Sequence, residues 1–166
     1  MSMEKRLATV DSLLARPFPG EAEQVAPAGK PWEGYRSSGP RSHLCFLKAS
    51  QDFWDDRSED VVEAAEEEIA AAFEELATVL TSRWGRPEVV DLSPDLEDEG
   101  SPVPEPMNEL GLYSGEMSVW HPGAGRWVAL AVGQADPEFP VLLLAAVGET
   151  SLLQRVPPPR AGRRPL

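Results

Sequence analysis

The sequence predicts an α+β fold: an antiparallel sheet of four to five strands, one long amphipathic helix packed on one face, and a short N-terminal helix. Three observations predict it. From Ser58 to Gly85, the residues Val62, Ala65, Ile69, Phe73, Leu76, Leu80 and Trp84 recur every three or four positions, which is one face of a helix of period 3.6. From Glu116 to Glu149, apolar runs are separated by two turn-forming clusters, Pro122–Gly125 and Ala135–Glu138, which reads as three successive strands. The chain has 166 residues, 42% hydrophobic and 26% charged, enough for one domain with a real core.

The long helix is marked at both ends. Asp55, Asp56 and Ser58 can each accept from a free N–H at its start, and Asp56 and Glu59 have capping-box spacing. Gly85 can take the left-handed conformation that closes a helix, and Pro87 prevents continuation. At 1.5 Å per residue the run is roughly 40 Å long, so its apolar stripe needs an equally long surface, most naturally a sheet.

Taken in order, the chain divides into four parts. Residues 1–16 form an N-terminal helix with Leu7, Val10, Leu13 and Leu14 on one face. Residues 17–42, rich in Pro, Gly and Ser, read as an irregular arm with Trp32 and Tyr35 as its large anchors. Residues 43–153 form a single α+β domain. Within it, His43–Ala49 is a strand, Glu88–Leu92 a short strand, and 93–109 an acidic, Pro-rich surface loop. Residues 154–166, Pro-rich with four arginines, read as a disordered tail.

A four-residue loop at Pro122–Gly125 sets the expected register of the first hairpin: His121 opposite Arg126, and Trp120 opposite Trp127. Alternation then puts Met117, Val119, Val128, Leu130 and Val132 under the helix. Glu116, Ser118, Trp120, Trp127, Ala129 and Ala131 share the other face, where large rings beside small residues form a shallow groove. Trp32, Tyr35 or the 93–112 loop could cover that groove; left open, it suits a peptide or small ligand. Val141–Val147 is apolar on both faces and should be central or covered on both sides.

The formal charge is −13, unevenly spread. Residues 51–100 hold seventeen acids against three arginines, Arg57, Arg83 and Arg86. Such a body repels nucleic acid and anionic membranes and attracts basic proteins. The N-terminus lacks a signal-peptide core and no apolar run is long enough to span a bilayer, so the expected location is the cytoplasm. A single cysteine, Cys45, fits a reducing compartment. The Arg-over-Lys bias, with many Ala, Gly and Pro, points to a GC-rich bacterial genome.

The chain shows little catalytic chemistry. His43 and Cys45 share a strand face but lack the further ligands zinc needs. The Asp52–Asp60 cluster lacks the spacing of a calcium loop. No phosphate-binding glycine loop or nucleophile elbow is present. No metal or cofactor is expected, and an enzyme would have to use His121 with Glu116 or Asp136. The leading expectation is a small acidic binding protein that engages a basic protein partner through Glu63, Glu66, Glu67 and Glu74. Immunity proteins against nuclease toxins use that logic, an analogy of charge and size alone. The alternative is a peptide- or ligand-binding adaptor or chaperone using the Trp120/Trp127 face, with Glu116 and Ser118 beside it.

Overall fold

A computed structural model describes residues 2–26, 32–92 and 103–153. The expected disordered tail, 154–166, lies outside the described residues, as do parts of the arm (27–31) and of the acidic loop (93–102).

The element order is α1 (Met3–Ala15), β1 (Glu23–Val25), β2 (Arg36–Gly39), β3 (Ser42–Ala49), α2 (Glu59–Trp84), β4 (Glu88–Asp91), α3 (Met107–Leu110), β5 (Glu116–Gly123), β6 (Arg126–Gly133), β7 (Leu142–Glu149) and α4 (Thr150–Leu153). The class is α+β, with a long helix on an antiparallel sheet. The sheet has seven strands among the described residues, not four to five, in the order β1-β2-β3-β7-β6-β5-β4. The additional pair is β1 and β2, inside the stretch read as an irregular arm. Their residues are exposed or half-buried, so they carry no apolar alternation. Backbone pairing to β3 holds them at one edge.

The helix α2 ends at Gly85 as expected, but Gly85, with φ 88° and ψ −176°, is extended at positive φ rather than in the left-handed helical conformation. Its start differs from the expected capping box. Ser58 is the N-cap and makes no side-chain cap bond. Asp56 instead accepts the N–H of Ser58 at 2.9 Å, before the helix begins. The buried seam of α2 is Ala65, Ile69, Ala72, Leu76 and Leu80. Phe73 lies on the flank of that seam and is only partly buried.

Two apolar layers result. Between the sheet and the helices lie the α2 seam, Val10 and Leu13 of α1, Phe53, and Cys45, Leu47, Trp120, Val128, Leu130, Leu143 and Val147 from the strands. The opposite face of the sheet carries Leu44, Phe46, Met117, Val119, Trp127, Ala129, Leu142 and Leu144. It is covered by Met107 and Leu110 of α3, by Leu152 of α4, and by Trp32, Tyr35 and Tyr113. β7 is central and apolar on both sides because both sides are covered.

The β5–β6 hairpin departs from the expected register. Gly123 pairs with Arg126, leaving a two-residue turn of Ala124 and Gly125, both with positive φ (58° and 77°). Hairpin turns with both central residues left-handed match the twist of the strands, but alanine is an uncommon occupant. Further along, Trp120 pairs with Val128, so His121 and Pro122 together stand opposite Trp127 in a bulge. The one-residue offset flips β5. Val128, Leu130 and Val132 face the helix as expected, but Met117 and Val119 face away from it.

α1 is docked by its C-terminal carbonyls. Arg126 Nη1 donates to the carbonyls of Leu13, Leu14 and Arg16 at 3.2, 3.0 and 2.7 Å. The same guanidinium lies 3.9 Å from the centre of the Phe18 ring, and Phe18 packs on His43. A cation at a helix C-terminus meets the negative end of the dipole.

Candidate functional site

The expected tryptophan groove is not formed. Trp120 points into the helix layer and Trp127 into the opposite layer, and both are fully buried. Trp120 Nε1 donates to Thr81 Oγ1 of α2 at 3.1 Å. Trp127 Nε1 donates to the carbonyl of Glu149 at 2.8 Å, with its ring over Gly148 on the neighbouring strand. Ser118 pairs with Leu130 and is half-buried, and Glu116 is exposed at the start of β5 opposite Asp91. The bulge at His121–Pro122 separates the two rings, so Trp120, Trp127, Glu116 and Ser118 do not form one site.

The acids of α2 lie in solvent. Glu63, Glu66, Glu67 and Glu74 are all exposed on the side of the helix away from the sheet. α2 carries eight acids, and its one basic residue, Arg83, is in the last turn and bonds Asp11 of α1 at 2.8 Å. Glu68 pairs with Lys48 of β3 at 3.0 Å. A bulge after Phe46 turns Lys48 toward the helix side of the sheet. Glu63, Glu66, Glu67 and Glu74 have no ion-pair partner among the described residues.

Loop 50–57 leads into this face. Ser50 and Val141 exchange two bonds of 2.9 Å, Ser50 N–H to the Val141 carbonyl and Val141 N–H to Ser50 Oγ. Phe53 N–H donates to the Glu138 carbonyl at 2.9 Å, and Arg57 pairs with the Glu138 carboxylate at 3.1 Å. Phe53 is completely buried, and its neighbour Trp54 is 61% exposed. The Trp54 and Phe139 rings form a T-shaped pair with centroids 5.6 Å apart. Periodicity did not single out Trp54, because it lies in a loop. The signal available in the sequence was a tryptophan set among Asp52, Asp55 and Asp56.

The remaining reactive side chains are engaged in structure. His43 is buried, with Nδ1 2.7 Å from Ser38 Oγ and Nε2 3.1 Å from the carbonyl of Arg16. Nε2 therefore carries the proton and donates, while Nδ1 accepts from the serine. Burial holds the His43 pKa below its ordinary value, so the ring is neutral. Burial also pushes the Cys45 thiol up to about 11, which leaves it protonated at neutral pH. His121 is exposed and bonds Glu88 at 3.0 Å. Glu116 lies five residues away along β5, about 17 Å by strand rise, before any shortening at the bulge. No group of three or more His, Cys, Asp or Glu that could hold a metal ion occurs among the described residues.

Two concavities were not anticipated. A groove of about 700 Å³ lies between β2 and Pro104–Glu109, with Ser38, Arg41, Glu105 and Glu109 on its walls. Ser38, Arg41, Glu105 and Glu109 are each already bonded. Arg41 pairs with Glu149 at 2.7 Å and also bonds the Ser151 hydroxyl. Glu105 accepts the Glu109 N–H at 2.9 Å, and Glu109 accepts from Tyr35. Burial, with the Glu109 carboxylate next in weight, raises the Tyr35 pKa. A second hollow of about 550 Å³ lies beside α1, with Lys5, Arg36 and Cys45 on its walls.

No helix among the described residues is long and apolar enough to cross a membrane. Comparison of the chain with protein families, with characterised proteins and with solved structures finds no match.

Proposed function

We propose that the protein is a small acidic binding protein whose α2 face engages a basic protein partner. The observation that carries this reading is the set of exposed carboxylates Glu63, Glu66, Glu67 and Glu74, none of them neutralised within the described chain. Glu63 and Glu67 are four residues apart on one helix, a like-charge spacing that costs a few tenths of a kcal/mol. A surface shaped by stability alone favours interspersed signs. The arrangement suits electrostatic steering, which accelerates association and is screened beyond about 8–10 Å at physiological salt. The analogy with immunity proteins extends to charge and size.

The test is capture from native lysate at low and high salt, with the partners identified by mass spectrometry. Basic proteins should be captured at low salt and released as salt rises. The Glu63→Gln, Glu67→Gln, Glu74→Gln triple variant should capture less of them, chiefly through a slower on-rate, while remaining folded. The reading is abandoned if the triple variant binds the same proteins with unchanged salt dependence, or if no basic protein is captured at low salt.

A further inference from the structure

A partner's side chain must be gripped at one place on an acidic surface. A field steers, but a contact that fixes register needs a rigid group that excludes water. Trp54 has the necessary properties. At 61% exposure it is one of the five large apolar side chains left in solvent among the described residues, and the only aromatic one. Tryptophan is also the residue type most enriched among energetically dominant contact residues.

Its surroundings hold it in place. Phe53, next in the chain, is completely buried, and the Ser50–Val141 and Phe53–Glu138 bonds fasten the loop to the segment before β7. The ring also ends a chain of aromatic contacts running from the covered sheet face to the surface: Tyr113 on Phe46 at 5.4 Å, Phe46 on Trp32 at 6.4 Å, Trp32 on Phe139 at 5.5 Å, and Phe139 on Trp54 at 5.6 Å. A side chain positioned in advance loses little entropy when it makes a contact.

The charge around it that has no ion-pair partner is negative. Asp52, Asp55 and Asp56 flank it in the chain and are exposed, and Asp136 is exposed in the facing loop. Arg57, the one cation of loop 50–57, is held by Glu138. Four residues after Trp54 the chain reaches the N-cap of α2, so the ring stands at the head of the acidic face. The face of an indole attracts a cation, and nearby carboxylates raise the local cation concentration.

We infer that Trp54 is a cation–π seat for an arginine or lysine side chain of a basic protein partner, with Asp52, Asp55 and Asp56 as its carboxylate collar. The inference rests on the acidic-face reading and specifies where that face grips its partner.

The probe is a fluorescently labelled nona-arginine peptide, titrated into the full chain by anisotropy at low and at physiological salt. Trp54→Leu keeps apolar bulk but removes the ring. It should weaken binding about tenfold, within the range of a partly desolvated cation–π contact, while Trp54→Phe should lose less. Because the side chain is exposed, both variants should match the native chain in circular dichroism and Tm. Asp55→Asn, Asp56→Asn should weaken binding and flatten its salt dependence. Equal affinity of the native chain and Trp54→Leu overturns the seat. If the triple glutamine variant then still weakens binding, the acidic-face reading survives that loss. If Trp54→Leu weakens binding but the triple variant does not, the seat stands and the α2 reading falls. Absence of binding by the native chain at low salt overturns both.

Discussion

Gly148→Ala tests the β6–β7 register, which sets Trp127 over the neighbouring strand. Gly148 lies opposite Trp127 across the β6–β7 pair, and its φ is not in the left-handed region, so its backbone accepts any residue. A Cβ built there would sit 2.4 Å from Cζ2 and 2.7 Å from Cε2 of the indole. Carbon atoms rest at about 3.5–4.0 Å, so the ring must retreat by about 1 Å. The ring is completely buried, and its N–H is tied to the Glu149 carbonyl at 2.8 Å. Overpacking of this kind costs about 1–3 kcal/mol, with a further 1–3 kcal/mol if the indole bond is broken. For a domain of this size each kcal/mol lowers Tm by about 2–4 °C. Urea denaturation of Gly148→Ala, Trp127→Leu and the double variant closes a double-mutant cycle. With the indole gone, alanine should be neutral or stabilising by about 0.5–1 kcal/mol, because glycine loses more backbone entropy on folding. An equal cost in both backgrounds would show that Trp127 does not lie over Gly148, and the β6–β7 register would be wrong.

Two further outcomes are expected. Leu76→Ala, in the middle of the α2 seam, should cost about 2–5 kcal/mol, and Phe73→Ala less, because part of that ring is already in solvent. Chemical denaturation giving the reverse order would mean that the helix is rotated from its described face. Because burial depresses the folded-state pKa of His43, the unfolded chain takes up a proton at higher pH than the folded one. Its contribution is fully present above about pH 6.5 and is lost as pH falls from there through the folded-state value, with a slope no steeper than about 1.4 kcal/mol per pH unit. His43→Asn should be less stable at pH 7.5 but show a flatter decline toward pH 5, and parallel declines would rule out this titration.

Most elements were legible in the sequence. The apolar period of α2 marks the long helix, alternation marks β3, β5 and β6, and breaks or turn clusters bound β4 and the fully apolar β7. The misreadings have separate physical causes. β1 and β2 are held by backbone pairing at a sheet edge, and Arg36, Ser37, Ser38 and Gly39 present no apolar alternation to read. In the β5–β6 hairpin, Ala124 occupies a left-handed position where a sequence reader expects Asn, Asp or Gly. That pointed to a longer loop and concealed the bulge that absorbs the odd residue. One residue of register decides the face of every side chain on β5, so a small error about a turn became a large one about a site. Phe73 was misplaced for a gentler reason. Both Phe73 and Ala72 fit a helical stripe, and only the sheet decides which of them lies on the seam.

The positions of the basic residues bear on the acidic face as much as the acids do. The chain has fifteen lysines and arginines, so it does not lack cations with which to neutralise α2. Several are committed elsewhere. Arg126 binds the carbonyls that end α1, Arg41 binds Glu149 and Ser151, and Arg57 binds Glu138. Arg83 ties α2 to α1, and Lys48 takes Glu68. Each joins segments distant in the chain, where a cation supports the fold. Along α2 from Glu59 to Ser82 there is no cation at all, although exposed positions such as Ala64, Ala70 and Ala71 could carry one at no cost in packing. Lysine at the i+4 position from a glutamate stabilises a helix by about 0.2–0.5 kcal/mol, a gain this helix forgoes at several positions. The carboxylates of Glu63, Glu66, Glu67 and Glu74 are thus left without an ion-pair partner among the described residues, while several cations tie distant segments together, which is the distribution the proposed function calls for.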